Sequence, residues 1–574
     1  MSYPSINDKN FNDKITNKYI KYKIPAKKKS FNEICFPKAY TLQLPQQFLG
    51  EFINPKSPYK GVLVFHRPGS GKTMSACVMC EHFKNSKNII FVAPASLLSN
   101  FRDELRSPGL GDTYLTAIER KKLKLLHPTS EEYIEIINKS NERIDKYYNI
   151  YSYNKFTTLI KDKELSLRNT LLVIDEIQNM VSETGAYYNI LYNAITKAPK
   201  DLRVVIMSGT PMFDSPKEFG LTLNLLRIPF EYPTGREFIN LFLDKKKKRD
   251  GTIIYTAKNL DIFKERCKGY VSYFIGAPDY TFPETITKYV NCEMSEFQYR
   301  CYLTIIRETE KLENKKQREK YVKSFYEGDL HDLPSTFLLG ARLISNVAFP
   351  NKKIQEDGIK SFHGRHLDDL EKYSIKFFKI YKKISRANGP VFVYSNFLEY
   401  GGLKSFEKVL KHFGYKNYEE HGEGRKRYAF ITGDQNKKIK EEIKHVYNQK
   451  SNIDGSKLKI LLLSSAAKEG LSLKAVRQVH VLEPYWNKNR LEQVIARARR
   501  FCSHSMLPED ERFINIYIYI ATHPNEKETV DQYIYKLAER KQRLIDQFEK
   551  AIKEVAVDCQ LNKSANEKNI ICDK

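Results

Sequence analysis

The sequence predicts an α/β protein with two parallel-sheet domains, a mainly helical region between them and a helical C-terminal extension. Three observations predict this. Short, wholly apolar runs recur, and each ends abruptly in small or polar residues. The runs fall into two sets separated by a long charged stretch. One run leads into the loop His66-Arg67-Pro68-Gly69-Ser70-Gly71-Lys72-Thr73, which a helical pattern follows. Apolar runs without alternation are the mark of parallel strands covered on both faces.

The first set comprises 61–65, 89–92, 171–174 and 204–207, and predicts a domain over 36–245. The second comprises 391–394, 460–463, 479–482 and 514–520, and predicts a domain over 386–525. Between them, 246–385 reads as helical and charged, as in 308–323, and the basic run at 245–249 reads as a solvated turn. Beyond 526 the pattern is helical with a polar tail. Residues 1–35, which include Lys27-Lys28-Lys29, read as a flexible basic arm.

A chain of 574 residues exceeds one hydrophobic core, in keeping with two domains. No apolar run reaches the roughly 18 residues of a membrane span, and the N-terminus lacks a signal-peptide core. The net charge of +27 favours a polyanionic partner, although Lys, Asn, Ile and Tyr are abundant throughout, as an AT-rich coding sequence also yields. Nine cysteines form no framework. Cys77 and Cys80 share a helical face with apolar neighbours and read as buried thiols. Cys502 and His504 are two ligands short of a metal site. This usage suits a reducing compartment.

In the glycine-rich loop, Gly69, Ser70 and Gly71 let backbone N–H groups close around phosphate oxygens. Lys72 would reach the β- and γ-phosphates of ATP, and the Thr73 hydroxyl would ligate Mg²⁺. His66 stands where the full signature has glycine. Asp175-Glu176 ends an apolar run, where an acid holds Mg²⁺ and its neighbour can act as general base. A helix N-cap is the plain alternative. Ser208-Gly209-Thr210-Pro211 is either a simple turn or a sensor of the γ-phosphate. Gln493, Arg497 and Arg500 stand at i, i+4 and i+7, on one face of an expected helix, where arginines can stabilise charge on the transferring phosphoryl group. A surface basic helix gives the same spacing. Gln47 lies where an adenine-reading amide would be useful, or is an ordinary surface glutamine. Trp486 reads as a packing residue beside an interdomain cleft and not as a base-stacking one, and most of the other aromatics read as core.

In this order the motifs resemble those of superfamily 2 helicases and translocases: the phosphate loop, Ala93-Pro94-Ala95, Asp175-Glu176-Ile177-Gln178, Ser208-Gly209-Thr210, the stretch SSAAKEGLSL at 464–473, and Gln493…Arg497…Arg500. A closer resemblance is carried by Phe65-His66, Tyr394-Ser395-Asn396 with Gly401-Gly402-Leu403, Val446-Tyr447-Asn448 with Asp454-Gly455-Ser456, and Val476-Arg477. These resemble the branch that holds the poxvirus early transcription factor small subunit and nucleoside triphosphatase I. Relatives occur in other large cytoplasmic DNA viruses and yeast linear plasmids. The tail Ala556-Val557-Asp558-Cys559 is similar to viral members. The chain departs from the pattern at Gln178, where His is usual, at Ala496, where Gly is usual, and at His66. It is also shorter after the second domain than the poxvirus members, so their C-terminal partner contacts do not carry over.

The resemblance implies two RecA-like domains and a DNA-dependent ATPase using ATP and Mg²⁺ in viral-type transcription. Lys72 and Thr73 would hold phosphate and metal, Asp175 would support Mg²⁺, Glu176 would activate water, and Arg497 with Arg500 would complete the site. DNA, with RNA as a second candidate, and a viral-type RNA polymerase or second transcription-factor subunit are the expected partners. The expected place is the cytoplasm, in a viral factory or virion. A strand-separating helicase of replication or repair, and an ATP-switched promoter-binding factor, are the competing readings.

Overall fold

The computed structural model describes all residues except 1, 28, 183–184, 248, 250–252, 313–337, 434, 466–470 and 574. The chain divides into two compact units. The first comprises Met1–Lys245, Tyr255–Pro278 and Arg543–Lys574, and the second Lys246–Ile254 and Asp279–Gln542. Among the described residues, no helix is long and apolar enough to cross a membrane.

The first unit is built on six strands: β1 (Gly61–His66), β2 (Asn88–Ala93), β3 (Tyr148–Ser152), β4 (Thr170–Ile174), β5 (Arg203–Ser208) and β6 (Val271–Phe274). Their order is β3-β2-β4-β5-β1-β6, and every neighbouring pair is parallel. Every residue of β1 and β4 is buried, which is why neither alternates polar with apolar. Parallel pairing brings the carboxyl ends of the strands to one edge, where ligands of open α/β sheets gather. The strand β5 lies between β1 and β4. It therefore carries Ser208 to a place between the phosphate loop and Asp175-Glu176.

The N-terminal residues depart from the expected flexible arm. Helix α1 (Phe11–Lys18) buries Phe11 and Ile15, and Tyr19 and Tyr22 follow on the same face. Their partners are Phe48 and Phe52 of α2 (Leu44–Phe52), and Tyr59. Tyr19 meets Phe48 edge-on at 5.2 Å, and Phe11 meets Tyr59 at 5.9 Å. Burying each such side chain is worth about 1.5–3 kcal/mol, enough to order a short helix. The Phe11, Ile15, Tyr19 spacing is the helical signal that the surrounding lysines and asparagines obscure.

The second unit holds β7 (Glu284–Glu293), β8 (Val391–Ser395), β9 (Lys416–Asn417), β10 (Arg427–Ile431), β11 (Ile460–Ser464), β12 (Gln478–Val481) and β13 (Phe513–Thr522). The order is β9-β10-β11-β8-β12-β13-β7, again parallel throughout. Val391 and Val393 enter one core cluster and Phe392 and Tyr394 the other, so both faces of this sheet are covered. Trp486 belongs to a third cluster of this unit, stacked on Tyr485 at 4.2 Å.

The stretch 246–385 is less purely helical than expected. It supplies β6 to the first sheet and β7 to the second. The strand β7 is an edge strand with mostly exposed side chains, so its sequence lacks an apolar run. The basic run at 245–249 begins inside a strand, Leu243–Lys247, and Lys248 lies outside the described residues. The expected helix at 308–323 is described only as far as Leu312. Lys28 of the N-terminal lysine run and residues 466–470 of SSAAKEGLSL also lie outside the described residues. The C-terminal helix, which follows α3 (Lys72–Phe83) and α4 (Lys488–Ile495), is α5 (Val530–Val555). Its last turns, from Arg543, belong to the first unit. Cys559 and Cys572 form a disulfide, a pairing that the scattered cysteines did not announce and that the reading of a reducing compartment did not include.

Candidate nucleotide site

The phosphate loop runs from the end of β1 into α3. Gly69 and Gly71 have φ of +84° and +79°, a region that side-chain-bearing residues reach only with strain. A Cβ on Gly71 would also lie 2.5 Å from Gln46 Nε2. Gly71 caps α3, so the first-turn N–H groups and the helix dipole serve the loop.

Lys72, Asp175 and Glu176 come together as the sequence predicts. Lys72 Nζ lies 3.0 Å from Asp175 Oδ1 and 2.6 Å from Glu176 Oε1. Burial alone would lower the lysine's pKa, but Asp175 and Glu176 outweigh it and hold the ammonium charged. Burial pushes the Asp175 carboxyl up, partly offset by Lys72. Glu176 has φ of +51°, and the Tyr153 hydroxyl braces that turn, its one proton shared between the carbonyl oxygens of Asp175 (2.6 Å) and Glu176 (2.8 Å). Thr73 occupies the first turn of α3, half-buried.

From Glu176 a hydrogen-bonded chain leads to the next strand end. Gln178 Nε2 donates to Glu176 Oε2 at 2.6 Å, and Ser208 Oγ donates to Gln178 Oε1 at 2.7 Å. Thr210 N donates in turn to Ser208 Oγ at 2.9 Å. An amide suits this place because it offers a donor on one side and an acceptor on the other. The departure at Gln178 therefore preserves the bridge.

The residues fit a nucleotide with a bound cation. Ser70 Oγ is buried without a hydrogen-bond partner among the described residues, as a group reserved for phosphate oxygens would be. Thr73 and Asp175 are the oxygen donors that would hold Mg²⁺ alongside phosphates. Among the described residues no group of three or more His, Cys, Asp or Glu could hold a metal ion by itself. Cys77 and Cys80 are buried free thiols whose pKa values burial pushes up, so neither is a nucleophile.

Other expected residues sit differently. Gln47 Nε2 donates to Leu42 O at 2.9 Å, whereas Gln46 Nε2 is the amide that reaches the phosphate loop, at Gly71 O, 3.3 Å. The expected helical face of Gln493, Arg497 and Arg500 is not formed, because α4 ends at Ile495. Beyond it the chain continues in tight turns, with Arg497 N donating to Val494 O and Arg499 N to Ile495 O, while Arg497 O accepts from Leu473 N and Ala498 is fully buried. The two arginines still converge: Arg497 Nη1 and Arg500 Nη2 donate to Leu471 O at 3.4 and 3.2 Å. Arg497 Nε donates to Gln493 O at 3.1 Å. Tyr153, Gln46 and the bridging role of Gln178 escape sequence reasoning, since each depends on an approach between distant segments.

Three domain families match this chain. Residues 46–332 match the SNF2-related domain, 375–502 the helicase conserved C-terminal domain, and 504–571 the nucleoside triphosphatase I C-terminal domain. The chain is 47% identical to a protein of Acanthamoeba polyphaga mimivirus named as an ATP-dependent RNA helicase, over 100% of this chain and 99% of that protein. A second mimivirus protein of the same description is 27% identical over 96% of this chain and 78% of its own length. The termination factor NPH-I homolog of African swine fever virus is 28% identical over 88% of this chain and 77% of that protein.

Proposed function

This chain belongs to the superfamily 2 helicases of large DNA viruses that carry SNF2-related, helicase C-terminal and nucleoside triphosphatase I C-terminal domains, and from that membership we propose that it couples ATP hydrolysis to movement along DNA during viral-type cytoplasmic transcription. The observation that carries the reading is the chain Lys72–Glu176–Gln178–Ser208. A group that meets phosphate is wired through the general-base candidate to the end of the neighbouring strand. Such a connection lets the state of the γ-phosphate alter the Ser208-Gly209-Thr210 loop.

The proposed roles follow from chemistry. Backbone N–H groups of Gly69, Ser70 and Gly71 cradle phosphate, with Lys72 as counter-charge. Lys72 would exchange its carboxylate partners for phosphates, which frees Glu176 to take a proton from the attacking water. Thr73 and Asp175 would hold Mg²⁺, which when bound offsets charge on the phosphates. Gln493, Arg497 and Arg500 are proposed to serve the transferring phosphoryl group, and Gln47 to read adenine. The net charge of +27 supports a polyanionic track. Viral relatives support a place in the viral factory, with a viral-type RNA polymerase or a second transcription-factor subunit as partner.

The test is ATP hydrolysis measured without polynucleotide and with single-stranded DNA, duplex DNA and RNA. DNA is expected to stimulate the rate, and Lys72→Ala to lower it at least about 100-fold. A rate indifferent to all four conditions sinks the motor reading. Stimulation by RNA alone moves the track to RNA, in line with the names of the mimivirus relatives. Strand displacement on tailed duplexes would instead favour a replication or repair helicase. Transcription left intact by Lys72→Ala in a reconstituted system would favour an ATP-switched promoter factor.

A further inference from the structure

His66 stands at the first position of the phosphate loop and is fully buried. Its Nε2 lies 3.0 Å from Ser272 Oγ on the adjacent strand β6. The single hydroxyl proton of Ser272 is directed at Asp558 Oδ2, 2.6 Å away. The serine oxygen must then accept from His66, which fixes the neutral Nε2–H tautomer. Asp558 also accepts from Tyr273 N (2.8 Å) and Asn562 Nδ2 (3.0 Å). It lies just beyond α5, where Val557 N donates to Val271 O of β6 at 2.8 Å.

Two more links reach the same loop. Arg67 Nη2 pairs with Glu549 Oε2 at 2.9 Å, and the Glu549 side chain is only 2% exposed. Ile275 N donates to Asn566 Oδ1 at 3.0 Å, and the next residue, Gly276, abuts Ser70: a Cβ there would lie 3.2 Å from Ser70 Cα. Three loop positions, 66, 67 and 70, thus trace by separate routes to residues 549–566. The disulfide Cys559–Cys572 closes that segment directly after Asp558.

We propose that the C-terminal segment 543–572 is a positioning element of the phosphate loop, with Asp558 acting through Ser272 and His66, and Glu549 acting through Arg67, to set nucleotide affinity. The proposal rests on reading this loop as the ATP site. None of these residues needs to touch nucleotide. Each restrains the backbone whose N–H groups do, and misplacing such groups weakens binding before it alters chemistry. It also gives His66 a reason to replace glycine: a side chain is needed there to dock.

The full-length chain tests this through a fluorescent ADP analogue, titrated to equilibrium, together with kcat and KM for ATP. Asp558→Asn, Ser272→Ala and Glu549→Gln are each expected to raise the Kd and KM about tenfold with a smaller change in kcat, since each weakens a hydrogen bond to a charged group. Asp558→Asn with Ser272→Ala should be no worse than one alone, because both lie on one route. Asp558→Asn with Glu549→Gln should add. Ile195→Val, a truncation at a fully buried position of the first unit outside 543–572, is the control for stability alone and should lower Tm while keeping Kd. Wild-type Kd in all three variants would overturn the proposal, as would an equal loss of affinity in Ile195→Val at equal Tm. A wild-type protein that binds no nucleotide would instead overturn the reading of the loop itself.

Discussion

Lys72 is the residue on which both the resting arrangement and the proposed chemistry turn. Two carboxylates hold it charged in a buried place, so phosphate can displace them without first protonating the lysine. Glu176 then keeps its position and its bond from Gln178 but no longer faces the ammonium. Glu176→Gln is expected to keep ADP affinity within a few-fold while lowering kcat by about 10²–10⁴. A burst or single-turnover experiment that shows unchanged hydrolysis would move the base elsewhere. Gln178→His should retain ATPase activity, since imidazole can also bridge a carboxylate and a hydroxyl, whereas Gln178→Ala should weaken polynucleotide stimulation more than basal turnover. Asp175 and Glu176 were legible because they follow a wholly buried apolar strand, and Lys72 because a glycine-rich loop joins another such strand to the helix that it opens. Gln46 and Tyr153 were not, because a glutamine and a tyrosine become site residues only when the fold brings Gly71 and Glu176 to them.

At the level of elements, fully buried strands announce themselves and half-exposed ones do not. The strands β1, β4, β8 and β11 are buried at every position and carry long apolar runs, so all four are legible in the sequence. The edge strand β7 carries Lys288 and Asn291 within its length and reads as nothing in particular. The helix α4 shows the opposite difference: the spacing of Gln493, Arg497 and Arg500 suits one helix, but α4 ends at Ile495 and tight turns carry the two arginines. Helix α1 was lost in a polar, lysine-rich context although three apolar residues mark its face. Its weight can be measured. Ile15→Ala should destabilise the first unit by about 2–4 kcal/mol and speed proteolysis near the N-terminus. A Tm unchanged from wild type would mean that α1 is dispensable to that unit.

Across the whole molecule, acid sensitivity follows from buried histidines. Burial pushes His66 and His480 down to about 3 and His504 to about 4, from an ordinary value of 6.5. The unfolded chain therefore binds more protons than the native one below pH 6.5. Stability conferred by these neutral rings is present above that pH and is lost as pH falls toward 3–4, at about 1.4 kcal/mol per unit for each histidine. Asp558, raised from 3.8 to about 6, opposes this over its own window: its contribution is full below 3.8 and is lost as pH rises through 6. Tm should fall from pH 7 to 5, and His480→Gln should fall less steeply. Parallel curves for the two proteins would assign the acid sensitivity to other groups.

The division of the first unit along the chain has a consequence for its synthesis. Its sheet strands are encoded before residue 279, yet the segment that backs the phosphate loop begins at Arg543, after the second unit has been made. At about 5–20 residues per second, translation of that intervening stretch takes on the order of tens of seconds. During that interval the nascent protein carries a glycine-rich loop without Asp558 and Glu549 behind it. Nucleotide would then be held more tightly once the C-terminal segment docks, so that full affinity marks a chain whose second unit has already been made.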